Sequence, residues 1–296
     1  MKELRNEARA LARGLAFLSP WLIGFFVFTL VPVALSLYYS FCNYSLLQPP
    51  LFKGWANYRM LSEDPVFWKA LGNTGLYGLI ALPLGMLVAL GVAMLLNSKV
   101  RGVSVYRTIV FLPSLVPAVA SAMLWMWLFN TQLGLINTVL RALGVTHPPG
   151  WLTDVHWAMP ALVLMSFWGI GNTVVIYLAG LQDVPRELYE AADIDGASPW
   201  RKVWHVTLPS ISPVIFFNLI MGIIGVLQIF ATPFILTGGG PARSTYFYTM
   251  YLYDNAFSYL KMGYASAMAW VQLLIVLVLT ALAAWSGKRW VHYQGR

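Results

Sequence analysis

The residues able to do chemistry in this chain fall into two groups. The first is one stretch, ELYEAADIDGASPWRKVWHVTLP, from Glu187 to Pro209. In it Glu187, Glu190, Asp193 and Asp195 precede Arg201, Lys202 and His205. Acids in the first half and bases in the second make a surface that can pair charges and exchange hydrogen bonds with a partner. The second group lies in runs that hold no charge: the amides Asn172, Asn218, Gln228 and Gln272, with Ser166 and Trp168 just ahead of Asn172. Amides, a hydroxyl and an indole face offer hydrogen bonds and an apolar platform to a polar solute. The same amides also serve as bridges between helices, and both readings are open for each. Other chemistry is excluded or unsupported. No G-x-x-x-x-G-K-[ST] is present, and Gly238 to Ser244, GGGPARS, lacks the Gly-Lys pair that would cradle phosphates. No H-E-x-x-H occurs, His147, His156, His205 and His292 are scattered, and Cys42 is the one cysteine.

The elements that must position these groups are set by lipid. Of 296 residues 59% are hydrophobic and only 10% charged, against about 25% charged in a soluble domain. Six windows without Asp, Glu, Lys or Arg are long enough to cross a bilayer: 15–41, 71–97, 108–130, 157–182, 209–236 and 262–287. Their prolines, among them Pro20, Pro32, Pro83, Pro113, Pro117, Pro213 and Pro233, read as packing kinks that neighbouring helices re-satisfy. No cleavable signal peptide is expected, because the first apolar run is too long for one. One set of connections carries thirteen of the basic residues: Lys2, Arg5, Arg9, Arg13, Lys99, Arg101, Arg107, Arg186, Arg201, Lys202, Lys288, Arg289 and Arg296. The other set carries six, Lys53, Arg59, Lys69, Arg141, Arg243 and Lys261. The positive-inside rule then places residues 1–14, the loop 183–208 and the tail 288–296 in the cytoplasm, around one membrane domain, 15–287. This bias also accounts for the net basic charge without invoking nucleic acid.

Within the loop, Val184-Pro185 reads as a helix start, and Leu188, Ala191 and Ala192 share one small face. Gly196 ends this helix in a left-handed cap, and Ser198-Pro199 begins the next. The second helix is expected to align Trp200, Val203, Trp204 and Thr207 in a stripe, with Arg201, Lys202 and His205 off it, and Pro209 is expected to open the fifth span. Periodicity leaves two uses open for this helix–turn–helix. It is an amphipathic hairpin resting on its own bundle or the lipid interface, or a handle for a protein partner. The acidic turn favours the second.

Glu190-Ala191-Ala192…Asp195-Gly196-Ala197…Leu208-Pro209 resembles the EAA motif of ABC-importer permeases. Ala179-Gly180-Leu181-Gln182 before it, and Leu236-Thr237-Gly238-Gly239-Gly240-Pro241 with Gly263-Tyr264-Ala265-Ser266-Ala267 after it, are similar to the carbohydrate permeases of the maltose-transporter class. The resemblance implies an all-α integral membrane protein with the type I ABC-importer fold, six transmembrane helices and a cytoplasmic coupling hairpin. It implies that Glu190, Ala191, Ala192, Asp195, Gly196, Ala197 and Trp200 couple the chain to an ATPase. It implies a substrate path near Ser166, Trp168, Asn172 and Gln228, where several polar positions of the family read Gly169, Val226 and Ile229 instead. The expected partners are a second permease, two cytoplasmic ATPase subunits that hold ATP and magnesium, an extracytoplasmic solute-binding protein, the bilayer, and a sugar, polyol or glycerol phosphate. The chain itself is expected to hold no cofactor, to bind no nucleic acid and not to be an enzyme. The setting implied is a bacterial or archaeal cytoplasmic membrane, with both termini inside. An ion-coupled secondary transporter or channel is the alternative. Its usual intramembrane carboxylates, histidines or lysines are missing from all six windows. A membrane enzyme ranks last for the same lack.

Overall fold

The computed structural model describes residues 2–98 and 101–292. Lys99 and Arg296 of the basic set, and the end of the 288–296 tail, lie outside the described residues. The chain divides into two units, Met1–Asp64 with Leu252–Val271, and Pro65–Tyr251 with Gln272–Arg296.

The first unit opens with α1 (Lys2–Phe25), which runs through a π-helical turn at Phe26–Leu30 into α2 (Val31–Ser40). The π register precedes Pro32. Proline lacks an N–H and its ring crowds the carbonyl four residues back, so widening that turn removes the clash. A hairpin follows, β1 (Cys42–Ser45) paired antiparallel with β2 (Gln48–Phe52), then α3 (Ala56–Glu63). This two-stranded sheet is a small addition to a chain that is helical as expected. Asn57 of α3 ties down the junction of α2 and β1, donating to the carbonyls of Ser40 at 2.8 Å and Cys42 at 2.9 Å.

The second unit begins with α4 (Pro65–Leu96), followed by α5 (Val103–Phe111), α6 (Ala118–Leu128) and α7 (Leu135–Ala142). Next come α8 (Ala158–Ser166), α9 (Gly171–Gln182), α10 (Arg186–Ile194), α11 (Pro199–Lys202) and α12 (Leu208–Ser210). The remainder is α13 (Ser212–Leu227), α14 (Ala231–Thr237), α15 (Tyr248–Tyr253) and α16 (Met262–Trp290), whose first residues belong to the first unit. Helices α4, α9 and α13 form its centre. Gly78 and Gly222 let α4 and α13 approach closely, since a Cβ on Gly78 would lie 2.6 Å from Val226 and one on Gly222 would overlap Leu82. Small residues at such crossings are how helices associate in lipid, where no hydrophobic force drives them together.

Among the described residues three helices are long and apolar enough to cross a membrane: Arg13–Ser40, Pro65–Leu96 and Met262–Trp290. Three further pairs reach that standard only as bent spans. Val103–Leu115 with Ala118–Leu128 bends by 99°, Ala158–Gly169 with Gly171–Gln182 by 51°, and Pro199–Ser210 with Ser212–Leu227 by 67°. The window 108–130 is therefore not one straight helix. Pro113 sits in a 3₁₀ turn and Pro117 is the extended N-cap of α6, and each removes an amide from the ladder. The window 209–236 is also divided. Pro209 ends no helix: the chain stays helical through Ser210, turns at Ile211, runs as α13 to Leu227, and re-forms as α14 after Phe230.

That last break frees the carbonyl of Leu227. Gln272 Nε2 donates to it at 2.5 Å and Thr249 Oγ1 at 3.1 Å. One of the deep amides is thus a bridge between helices. Asn73 and Thr74 on α4 do similar work for the loop after α14. Asn73 Nδ2 donates to the carbonyls of Arg243 at 2.7 Å and Tyr246 at 3.0 Å, and Thr74 Oγ1 accepts from the Tyr248 N–H at 2.9 Å. Replacing Gln272 with Leu leaves Thr249 alone on the Leu227 carbonyl. The expected cost is about 1–2 kcal/mol, read as a lower melting temperature in detergent. An unchanged melting curve would show that the break does not depend on this amide.

Candidate functional site

The helix–turn–helix is built as its residue types dictate. Pro185, extended at φ −57° and ψ 133°, is the N-cap of α10. At the other end Gly196 has φ +68°. Its N–H bonds to the carbonyl of Asp193 at 3.1 Å, and the N–H of Ala197 bonds to that of Ala192 at 2.9 Å. This pair of bonds is the Schellman closure, which satisfies carbonyls that a helix end leaves open. Ser198 Oγ then accepts the N–H of Arg201 at 3.4 Å as the cap of α11.

The second arm departs from the expected α-helical stripe. Val203–Thr207 takes a π register, again just ahead of a proline, here Pro209. The extra residue in the turn rotates the side chains that follow. Thr207 is buried and meets the Tyr189 hydroxyl at 3.0 Å, whereas Trp200 and Trp204 face outward at 71% and 62% exposure. The two indoles therefore do not rest on the chain's own bundle. An ion pair between Asp193 and Lys202 joins the arms. Its partial exposure limits its worth to about 0.2–1 kcal/mol.

Between the arms is a groove of ≈ 610 Å³. Leu188, Ala191, Ala192 and Asp195 line one wall, Arg201, Lys202, His205 and Val206 the other, and Ala197 lies at the turn. The structure thus brings Ala191, Ala192, Asp195 and Ala197 together. Glu190 and Trp200 are exposed outside the groove. The arrangement has two alanines that allow close approach, an acid at the tip, a basic wall and unburied indoles, which together make a surface for docking.

The amides meet elsewhere. A cavity of ≈ 450 Å³ lies among α4, α9 and α13, with Tyr77, Ser166, Asn172 and Asn218 among its walls. A second, of ≈ 270 Å³, has Ser114, Ser121, Trp168 and Thr232 on it and shares Tyr77, Ser166 and Asn172 with the first. Among the described residues no Asp, Glu, Lys, Arg or His lines either cavity. Ser166, Trp168 and Asn172 are therefore gathered. Gln228 is not: it is the exposed C-cap of α13 and lines neither cavity. Asn218 lines the larger one, although its Nδ2 donates to Val214 of its own helix at 3.1 Å. Tyr77, with Ser114, Ser121 and Thr232, is a member that the sequence pattern missed. A tyrosine within a long apolar helix carries no local mark of the cavity that α9 and α13 close around it.

Broken apolar spans, a charge-free central cavity and an exposed helix–turn–helix define a multi-pass membrane transport component. Residues 81–292 match the family "Binding-protein-dependent transport system inner membrane component". The chain belongs to this family, and is a transport permease rather than an enzyme. It is similar over its whole length to the probable ABC transporter permease protein YesP of Bacillus subtilis, 38% identical and covering 97% of that protein. It is 36% identical to the sulfoquinovosyl glycerol transport system permease protein SmoG of Agrobacterium fabrum, with 90% of this chain and 87% of that one aligned. It is 35% identical to the lactose transport system permease protein LacF of Rhizobium radiobacter, with 93% and 94% aligned. In fold it matches a bacterial ABC transporter involved in import of the acidic polysaccharide alginate, with a TM-score of 0.86 at 24% identity over 97% of this chain and 99% of that one.

Gly196 supplies a test of the turn. A Cβ there meets nothing within 4 Å, so the cost of a side chain is conformational alone. Valine in the left-handed region costs about 1–2 kcal/mol, and asparagine much less. Gly196→Val is expected to uncouple transport while the chain still inserts, and Gly196→Asn to retain most of it. Equal uptake by the two variants would show that transport does not depend on the conformation of this turn.

Proposed function

We propose that this chain is one permease subunit of an ATP-driven importer that carries a sugar or related polyol through the cytoplasmic membrane by alternating access. The observation that carries this reading is its near full-length likeness to permeases named for lactose and for a sulfosugar glycoside, in a chain whose central cavity offers hydroxyl and amide groups but no ionisable acid or base other than the phenol of Tyr77. Neutral hydrogen-bonding groups with an aromatic face suit a polyhydroxyl solute. They do not suit a proton relay.

The helix–turn–helix faces the cytoplasm together with both termini, as the distribution of Lys and Arg supports. There it enters a cleft on an ATPase subunit, with Glu190 and Asp195 as polar contacts and Trp200 as an apolar one. Two such ATPases hold the ATP and magnesium. Their closure on ATP pulls the paired hairpins and turns the path outward, where a solute-binding protein delivers the sugar. Hydrolysis resets it. The exposed helix α2 and the exposed C-cap residue Gln228 then lie on surfaces that lipid or the second permease covers, and Gln228 reaches the path only in that pair.

Two variants test the reading. Glu190→Lys reverses an exposed charge that has no side-chain hydrogen bond or ion pair among the described residues, so stability should hold while the ATPase subunit is lost from affinity-purified complex. Retained co-purification with normal transport would return the hairpin to an interfacial role. Asn172→Leu removes a hydrogen-bonding group from both cavities. The half-saturation concentration for uptake is expected to rise about tenfold, equivalent to about 1.4 kcal/mol, at unchanged melting temperature. A lower melting temperature with the same half-saturation would make Asn172 a bridge between helices, as Gln272 is.

A further inference from the structure

The segment between α6 and α8 is tied down by side-chain hydrogen bonds, yet it presents apolar side chains outward. Asn137, fully buried on α7, donates to the carbonyls of Thr131 and Pro149, both at 3.1 Å, and its Oδ1 accepts the Trp151 indole N–H at 2.7 Å. Arg141 spends its guanidinium on the carbonyls of Gln132 and Thr131, both at 2.8 Å. Gly134 packs so closely on Leu128 and Asn130 that no Cβ fits. These bonds hold α7 against Thr131 and Gln132, just beyond the end of α6 at Leu128, and against Pro149 and Trp151 ahead of α8.

The opposite face of α7 carries Leu135, Val139 and Leu143 at i, i+4 and i+8, exposed by 51%, 49% and 76%. Leu133 precedes them at 79%. The one charge of the helix, Arg141, is engaged on the anchored side, so this face is apolar with no charged rim. Its depth is set by its neighbours. Trp127 in the last turn of α6 and Trp157 at the N-cap of α8 are both exposed, at 59% and 42%. Exposed indoles at the ends of membrane helices mark the headgroup level. Eight residues extend only about 12 Å and cannot cross the hydrocarbon.

We infer that α7 is an interfacial helix, seated at the headgroup boundary of the leaflet where α6 ends and α8 begins, with Leu135, Val139 and Leu143 toward the acyl chains. With each bent pair crossing once, this is the leaflet opposite the helix–turn–helix. The occupant of the face is lipid because the surface is continuous with lipid-facing α6, whose Val119, Met123 and Trp127 are also exposed at i, i+4 and i+8. A docked protein would instead require a polar rim around the apolar residues. The inference does not depend on which solute is carried.

Cys42 is the chain's one cysteine and is buried, so single added cysteines can be labelled in the otherwise native full chain. Val139→Cys and Leu143→Cys are labelled with an environment-sensitive fluorophore, with Glu187→Cys as a water-exposed control. Each is reconstituted in phosphatidylcholine vesicles with and without lipid bearing a doxyl group near the headgroup. Both α7 labels are expected to be quenched by the doxyl lipid about twofold or more beyond the control and to resist iodide. If either variant fails to insert, Leu135→Cys gives the same reading. Free access of iodide to the α7 labels, with no doxyl quenching, overturns the inference. So does an iodide-accessible label that becomes shielded only when an extracytoplasmic binding protein is added, which would make the face a protein contact.

Discussion

A backbone carbonyl freed inside a membrane bundle has no water to turn to, and this constraint organises the chain. Each proline or turn that breaks a span releases polar groups, and each unmet hydrogen bond costs several kcal/mol in hydrocarbon. The protein keeps its breaks where a side chain from another element can answer them. At the divided fifth span, Gln272 and Thr249 converge on the carbonyl of Leu227. At the loop after α14, Asn73 and Thr74 reach in from α4. Where no side chain is at hand, a turn is widened instead, as in the π segments ahead of Pro32 and Pro209.

Those breaks make room for function. A bundle of straight apolar helices would pack shut. Bends of 99°, 51° and 67° leave the central cavity in which Tyr77, Ser166 and Asn172 meet. The same bend at Ile211 separates the arm that carries Trp200 and Trp204 from α13, so the hairpin packs on the bundle through Val184, Tyr189 and Val206 rather than merging with the span. The hairpin is joined along the chain to α9 on one side and to α13 on the other, two of the helices that wall the larger cavity.

Some of this was legible in the residues. The turn at Gly196 and the cap at Ser198 follow from local preferences: only glycine takes the left-handed region cheaply, and a serine hydroxyl reaches the third N–H after it. The apolar windows were visible because lipid demands length and the absence of charge. The roles of the amides were not. Asn172, Asn218, Gln228 and Gln272 are alike in sequence, yet one lines two cavities, one lines a single cavity while bonded to its own helix, one caps α13 in an exposed position and one staples a carbonyl 45 residues away. Which role an amide takes depends on what the fold places opposite it.

Composition, charge-free windows and the Glu190–Gly196 spacing determined by themselves that this is a membrane chain with a polar helix–turn–helix in one of its loops, because those signals are local or summed along the chain. Only the tertiary structure decided that three of the spans are bent, that the second arm of the hairpin turns its indoles outward, that Gln228 stands apart from Asn172, and that α7 is pinned at the mouth of α6. The reason is the same in each case. A proline's effect, a helix register and an amide's partner are settled by steric fit and hydrogen bonding between residues far apart in the chain, and no periodicity along it encodes that meeting.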